Sequence, residues 1–233
     1  MKKKYVVVLG AGISGIGSAI LAKKKGYEVL VSDINKINKE VKKTFIKHSI
    51  DFEEGQHSVF DENNIDFIIK SPGISNETNL IKNIKSNNIN VISEIEFASR
   101  YTNAIIIGIT GSNGKTTTTI LTYEILKKAG LSVEMAGNIG NSFAKLVARK
   151  KFDYCVLELS SFQLDDIVNF SPKYAIITNI TKDHLDRYNN NFDDYIKSKL
   201  RITINQSSKD YLIFNSDDPV LKKMVNSKLT KAN

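Results

Sequence analysis

The chain has 233 residues, room for one large domain or two ordinary ones, and its 41% apolar and 25% charged residues suit a globular protein that buries a core. The net charge of +8 is scattered along helix-like segments (Lys23–Lys25, Lys42, Lys43, Lys127, Lys128) instead of forming a stripe, so no nucleic-acid partner is expected. No apolar run is long enough to cross a bilayer, and MKKKYVVVLGAG runs into a glycine turn instead of a cleavage site, so a cytoplasmic protein without a membrane partner is expected. The single cysteine, Cys155, excludes an internal disulfide and sits in an apolar run as a small buried hydrophobe.

Strand-like and helix-like segments alternate along the chain, which predicts α/β architecture with parallel sheets. Tyr5–Leu9 reads as a strand, followed by a glycine turn, a helix to about Lys25 capped by Gly26, and a strand over Glu28–Ser32 that ends at Asp33. A helix over Asn38–Lys47, strands at Phe52 and Phe67–Ile69, a helix near Leu80–Ser86 and a strand at Val91–Ile92 complete a first unit. Glu94–Tyr101 reads as a short connector helix. The second unit opens with Ala104–Ile109 as a strand and Thr116–Ala129 as a helix. It continues through a strand near Val133, the turn Gly137–Gly140, a helix from Ser142, and strands Tyr154–Leu159 and Tyr174–Asn179. A helix over Phe192–Ile204 and a strand Tyr211–Asn215 follow, and Asp217–Asn233 reads as a polar tail. Domains are therefore expected at 1–93 and 94–233.

Two glycine-rich loops carry the chemistry. The second, GITGSNGKTTTT (Gly108–Thr119), joins a strand to a helix and keeps T-G-x-x-G-K-T, with Ile109 where the standard P-loop places its first glycine. The backbone N–H groups of Gly111, Ser112, Asn113 and Gly114 and the helix start at Lys115, Thr116 and Thr117 are expected to cradle ATP phosphates. Lys115 supplies a point charge, and the Thr116 hydroxyl is placed to hold Mg²⁺. The first loop, GAGISGIG, satisfies G-x-G-x-x-G through Gly10, Gly12 and Gly15, with Asp33 at the end of the next strand. That pattern serves a UDP moiety as well as a dinucleotide.

Glu158 ends a strand where open α/β sheets place functional groups and fits a Mg²⁺ ligand; the same position suits a carboxylate that caps a turn. A lone His after a strand is ordinarily structural, but His184 lies beside Asp183 and Asp186 on the expected active edge, which favours a second metal. Lys199, in KSKLRI, reads by itself as one basic residue among several.

In this order, ITGSNGKTTTT, GNIG, LELSSFQL, NITKDHLDRY, KSKLRI and NSDDP resemble the Mur ligases, and GAGISG, KSPGIS and SEIEF resemble their UDP-binding domain. The resemblance spans essentially the whole chain, and LELSSFQL with HLDRY favours the D-glutamate-adding branch. It implies a Rossmann-like parallel-sheet N-terminal domain, followed by an incomplete P-loop-type α/β ATPase domain. It also implies an ATP-dependent amide ligation that joins D-glutamate to UDP-N-acetylmuramoyl-L-alanine through an acyl phosphate, in peptidoglycan synthesis. The cofactors implied are ATP, two Mg²⁺ ions and a carbamylated Lys199. Lys115 would hold the ATP phosphates, Thr116 and Glu158 one Mg²⁺, and His184 and Lys199 the other. Asn138 and Ser160 would touch the muramoyl substrate, and Ile13, Ser14, Gly15, Asp33 and Gly73 would line the UDP site. A monomer is expected. Family members run further, through the rest of the central domain and a third domain. The chain is therefore expected to be a fragment or truncated product with little or no turnover by itself. Rival readings are another Mur ligase, a folate-type glutamate ligase (which the first glycine unit argues against), a UDP-sugar-binding module without turnover, and an NAD-dependent dehydrogenase resting on the first loop alone.

Overall fold

In the computed structural model, residues 5–57, 64–226 and 230–233 are described. The first unit comprises residues 1–102 together with 142–150. It begins with β1 (Tyr5–Leu9), α1 (Ile13–Lys24), β2 (Glu28–Asp33), α2 (Lys39–Lys47) and β3 (Asp51–Glu54). It continues with β4 (Ile65–Lys70), α3 (Asn79–Ser86), β5 (Val91–Ser93) and α4 (Glu94–Ser99). Its five strands are parallel and ordered β3-β2-β1-β4-β5. Val6, Val7, Val8 and Leu9 are all buried, as expected for the central strand of a parallel sheet covered on both faces. Val7, Leu9, Ile68, Ile81 and Ile84 form one core cluster, and truncating Ile81 to Ala in such a setting costs about 2–5 kcal/mol.

The order of these strands reverses between β1 and β4, so the loops after β1, β2 and β4 converge on one sheet edge. That is where open α/β sheets bind ligands. The cavity described below opens there.

The second unit comprises residues 103–141 and 151–233. It contains β6 (Ile105–Thr110), α5 (Lys115–Lys128) and β7 (Val133–Gly137). After α6 (Phe143–Arg149), which belongs to the first unit, come β8 (Tyr154–Glu158), α7 (Ser161–Leu164) and β9 (Tyr174–Ile177). A 3-10 turn (Leu185–Tyr188), α8 (Phe192–Leu200), β10 (Tyr211–Phe214) and α9 (Pro219–Asn226) follow. The sheet is again parallel, in the order β10-β9-β6-β8-β7. Cys155 is buried in β8, and burial pushes its thiol well above the usual range, so it is an inert hydrophobe.

Three sequence expectations change. The division expected at 93/94 falls after Thr102, because α4 is no connector: Ile95, Phe97 and Ala98 are buried, and Phe97 packs edge-on against Tyr101 at 5.2 Å. Residues 142–150 also join the first unit, where α6 packs against α1 and α4. Finally, Asp217–Asn233 is not simply a polar tail. Asp218 Oδ1 accepts the N–H groups of Val220 and Leu221, Pro219 opens the helix without needing a donor, and α9 follows. Asn233 then pairs with the backbone of Leu212 and Asp210; residues 227–229 of that segment lie outside the described residues. No described helix is long and apolar enough to cross a membrane.

Candidate functional site

In the first unit, the β1–α1 turn is built by close approach. Gly10 has φ +94°, and a Cβ on Gly15 would lie 1.8 Å from the Gly10 carbonyl oxygen. The N-cap of α1 is Gly12, whose lack of a side-chain cap leaves the N–H groups of Ile13, Ser14 and Gly15 open at a helix N-terminus. Asp33 fixes this loop: its Oδ2 accepts from Ala11 N at 2.7 Å and its Oδ1 from Asn35 N at 2.8 Å. A cavity of about 590 Å³ opens beside it, lined by Gly10, Asp33, Ile34, Asn35, His57, Gly73, Ile74 and neighbouring side chains. Ile13 is largely exposed, and the Ser14 hydroxyl helps hold the buried Glu94. Sequence reasoning missed Ser71, whose hydroxyl is buried without a hydrogen-bond partner next to Gly10, as a phosphate donor would be. The residue lay hidden in the KSPGIS stretch, which was read for its glycine.

In the second unit, the turn after β6 wraps over the sheet edge. Gly111 has φ +146°, and a Cβ there would meet Thr178 Oγ1 at 1.9 Å. Gly114, at φ +80°, is the N-cap of α5. Thr118 N–H is the first to bond within the helix, to Gly114 O, so the N–H groups of Lys115, Thr116 and Thr117 remain open to an anion. The loop is held from β9: Thr178 Oγ1 and Asn179 Nδ2 donate to Asn113 O at 2.7 and 3.0 Å, and Asn113 N donates to Asn179 Oδ1. Ser112 Oγ donates to Thr181 O at 2.8 Å and accepts from Thr181 N. These supporting residues were not foreseen, because Thr178 and Asn179 read as the end of a strand.

Lys115 folds over the loop, its Nζ donating to Gly111 O and Ser112 O. Lys199, from α8, is only 2% exposed and donates to Gly111 O at 2.8 Å; its ammonium lies 4.6 Å from the centre of the Tyr195 ring. Burial, then the nearby Lys115 charge, pull its pKa down to about 7, opposed by Asp183 and Asp165. Glu158 is 1% exposed; Oε2 accepts from Thr116 Oγ1 and Oε1 from Asn138 Nδ2, both at 2.8 Å. Asn138 is placed by Gly137, where φ is +109° and a Cβ would lie 2.2 Å from Glu158 O.

Among the described residues Glu158 has no Lys or Arg partner, so a buried carboxylate beside a hydroxyl is held by neutral donors alone. That hard-oxygen pair fits a small divalent cation, which would supply the missing countercharge.

The other expected positions are less converged. The His184 side chain is 60% exposed, pairs with Asp183 at 3.5 Å, lies against Phe162, and makes no hydrogen bond to Lys199. No cluster of three His, Cys, Asp or Glu groups suited to a metal occurs among the described residues. Ser160 caps α7 in a capping box with Gln163.

This arrangement, two parallel sheets each with a glycine turn at its carboxyl edge, meets its match in known proteins. The Mur ligase middle domain profile matches residues 109–233 and the MurD N-terminal domain profile residues 6–80. The chain belongs to the Mur ligase family. It is 53% identical over 220 residues to UDP-N-acetylmuramoylalanine–D-glutamate ligase of Bacteroides fragilis, covering 94% of this chain and 50% of that protein. It is 49% identical over 223 residues to the enzyme of the same name from Porphyromonas gingivalis, covering 95% of this chain and 50% of that protein. The chain thus spans about half the length of the curated relatives it matches. The fold is also that of a solved UDP-N-acetylmuramate:L-alanyl-gamma-D-glutamyl-meso-diaminopimelate ligase from Neisseria meningitides. The TM-score is 0.65 at 18% identity, covering 99% of this chain and 77% of that one.

Proposed function

We propose that the chain is the nucleotide-sugar- and ATP-binding portion of a UDP-N-acetylmuramoyl-L-alanine–D-glutamate ligase, acting in the cytoplasm as a monomer. The observation that carries this reading is the convergence of Lys115, Thr116, Glu158 and Lys199 on one phosphate-type turn. The second glycine turn in the first unit, and the relatives' names, supply the rest.

The reaction is an acyl transfer through phosphate. The muramoyl-alanine carboxylate attacks the γ-phosphorus of ATP, the bond to the β-phosphate oxygen breaks, and an acyl phosphate and ADP result. The D-glutamate amine then attacks the acyl carbon, phosphate leaves with the bonding electron pair, and the proton lost from the amine ends on the released phosphate. Both partners of the first step are anions, so the protein must neutralise charge. Lys115 and the open N–H groups of Lys115–Thr117 bind and orient the phosphates, with Gly111–Gly114 as their cradle. Mg²⁺, when bound, would neutralise phosphate oxygens; Thr116 and Glu158 would hold one ion, and His184 and Lys199 a second. Lys199 would do so as a carbamate, whose oxygens bind a cation where an ammonium repels it. Carbamylation needs a neutral amine, which a pKa of about 7 supplies. Asn138 and Ser160 would position the muramoyl group, and Ile13, Ser14, Gly15, Asp33 and Gly73 the UDP moiety.

Calorimetric titration with UDP-N-acetylmuramoyl-L-alanine, and separately with NAD⁺, tests the reading. Binding of the UDP-sugar without a response to NAD⁺ is expected; the reverse overturns the proposal. A second reading, capture of the UDP-sugar without turnover, rests on the cavity of the first unit alone. D-glutamate-dependent ADP release by the purified chain would rule that out.

A further inference from the structure

Beneath Asp33, three polar side chains of the first unit form a relay that the reaction above does not use. Ser32 Oγ lies 2.5 Å from Glu53 Oε1 and 2.7 Å from His57 Nδ1. Ser32 is fully buried at the end of β2, and its register partner in β3 is Glu53. A hydroxyl has one proton, and an ionised carboxylate can only accept, so that proton goes to Glu53. Ser32 Oγ must then accept from His57, which places a proton on Nδ1. The neutral ring therefore carries a bare lone pair on Nε2; the tautomer follows from the hydrogen-bond network.

His57 lines the cavity. With Nδ1 turned to Ser32, the opposite ring edge is the one left for a ligand, and among the described residues Nε2 has no partner. The cavity walls include Ile34, Ile74 and Leu80, apolar side chains suited to the faces of a planar ring. Asn35, also in the lining, has no hydrogen-bond partner for its side-chain amide among the described residues and can donate to a ring carbonyl.

We infer that His57 accepts the imide N–H of a uracil ring through Nε2, and so selects uridine over cytidine nucleotides. This rests on reading the cavity as the site of a UDP moiety. Uracil presents N3–H between two carbonyl groups, so it gives a donor to His57 and an acceptor to Asn35. Cytosine presents a lone pair at N3, which would face the Nε2 lone pair. Sites built around a hydrogen bond reject an analogue that cannot make it, because their own polar groups stay unpaired. Glu53 and Ser32 are positioning residues: they act by fixing the tautomer.

The test is calorimetric titration of the full chain with UDP, CDP and 3-methyl-UDP, for the wild type, His57→Ala and Ser32→Ala. The wild type is expected to bind UDP at least about tenfold more tightly than CDP or 3-methyl-UDP. His57→Ala should bind all three about equally, with most of the change in UDP. Ser32→Ala should lose part of the discrimination, since the lock on Nδ1–H is gone. An unchanged UDP-to-CDP ratio in His57→Ala overturns the inference. Should either variant fail to fold, ¹⁵N NMR of the wild-type His57 ring decides: protonated Nδ1 and an Nε2 resonance that shifts with UDP but not with 3-methyl-UDP are expected, and protonated Nε2 overturns it. Wild-type binding of NAD⁺ in place of UDP would fail the UDP reading itself, separately from the role of His57.

Discussion

Lys115 and Lys199 donate to one acceptor, the Gly111 carbonyl oxygen, at 2.9 and 2.8 Å. Burial first, and then repulsion from the Lys115 cation on the same oxygen, lower the pKa of Lys199 to about 7. The unfolded chain keeps Lys199 protonated up to about pH 10.4, so between these values it binds more protons than the folded state. Stability contributed at this residue therefore rises with pH across that window and is lowest below pH 7. Lys199→Met keeps the bulk and removes the charge, while Gly111 O retains its bond from Lys115. In bicarbonate-free buffer the variant should be more stable than wild type at pH 6, by up to about 5 kcal/mol, with the gap closing toward pH 10. Urea midpoints at the two pH values measure this, and a gap that stays constant with pH contradicts it.

Lys115 is expected to matter for phosphate binding and little for the fold. Its two acceptors are loop carbonyls, and Gly111 O keeps Lys199 as a donor. Lys115→Ala should weaken ATP binding by at least about tenfold while shifting the unfolding midpoint little. Equal ATP affinity in the variant would move the phosphate site elsewhere.

The first glycine turn yields a contrast between neighbours. Gly15→Ala drives a Cβ to 1.8 Å from Gly10 O and should cost at least about 3 kcal/mol. Gly12→Ala places its Cβ in open space at an ordinary φ of −79° and should fall within about 0.5 kcal/mol of wild type. Denaturation of the two variants in parallel measures this, and equal losses would show that the turn is not as tight as its geometry.

Glu94 gives the opposite pH trend from Lys199. Its carboxyl is buried, and burial raises its pKa above the ordinary value, opposed by hydrogen bonds from Ser142, Ala144 and Ser14; one oxygen, Oε2, has no partner. The folded state therefore holds the proton more tightly than the unfolded chain. Stability from this group is greatest below about pH 4.5 and is lost as pH rises through the folded value. Glu94→Gln keeps an acceptor for Ser142 and Ala144 and removes the charge, so its stability relative to wild type should increase from pH 5 to pH 8. A difference that does not change with pH argues against a buried carboxylate there.

Strand and loop placement was legible in the sequence wherever a chemical constraint is local. The valine run of β1, Gly10 and Gly15 in one turn, and Lys115–Thr116 at a helix start each follow from neighbouring residues. The support for these features was not legible, because it comes from far along the chain. Thr178 and Asn179 hold Asn113 from more than sixty positions away, and the contact of Lys199 with Gly111 spans 88. Nothing local in KSKLRI distinguishes that lysine from its neighbours until the fold buries it. The short helix expected over residues 94–101 is present as Glu94–Ser99, but its place in the core was hidden for the same reason: Phe97 is an ordinary helical apolar residue until Tyr101 and the surrounding core cover it.

The placement of residues 142–150 in the first unit has a practical consequence. The polypeptide crosses from one unit to the other three times, after Thr102, Asn141 and Lys150. A single protease cut at any one of these junctions leaves the two units covalently tied, and a gene ending at residue 102 encodes a first unit without α6, the helix that packs on α1. To obtain that unit alone, the nine-residue segment has to be grafted back through a designed linker.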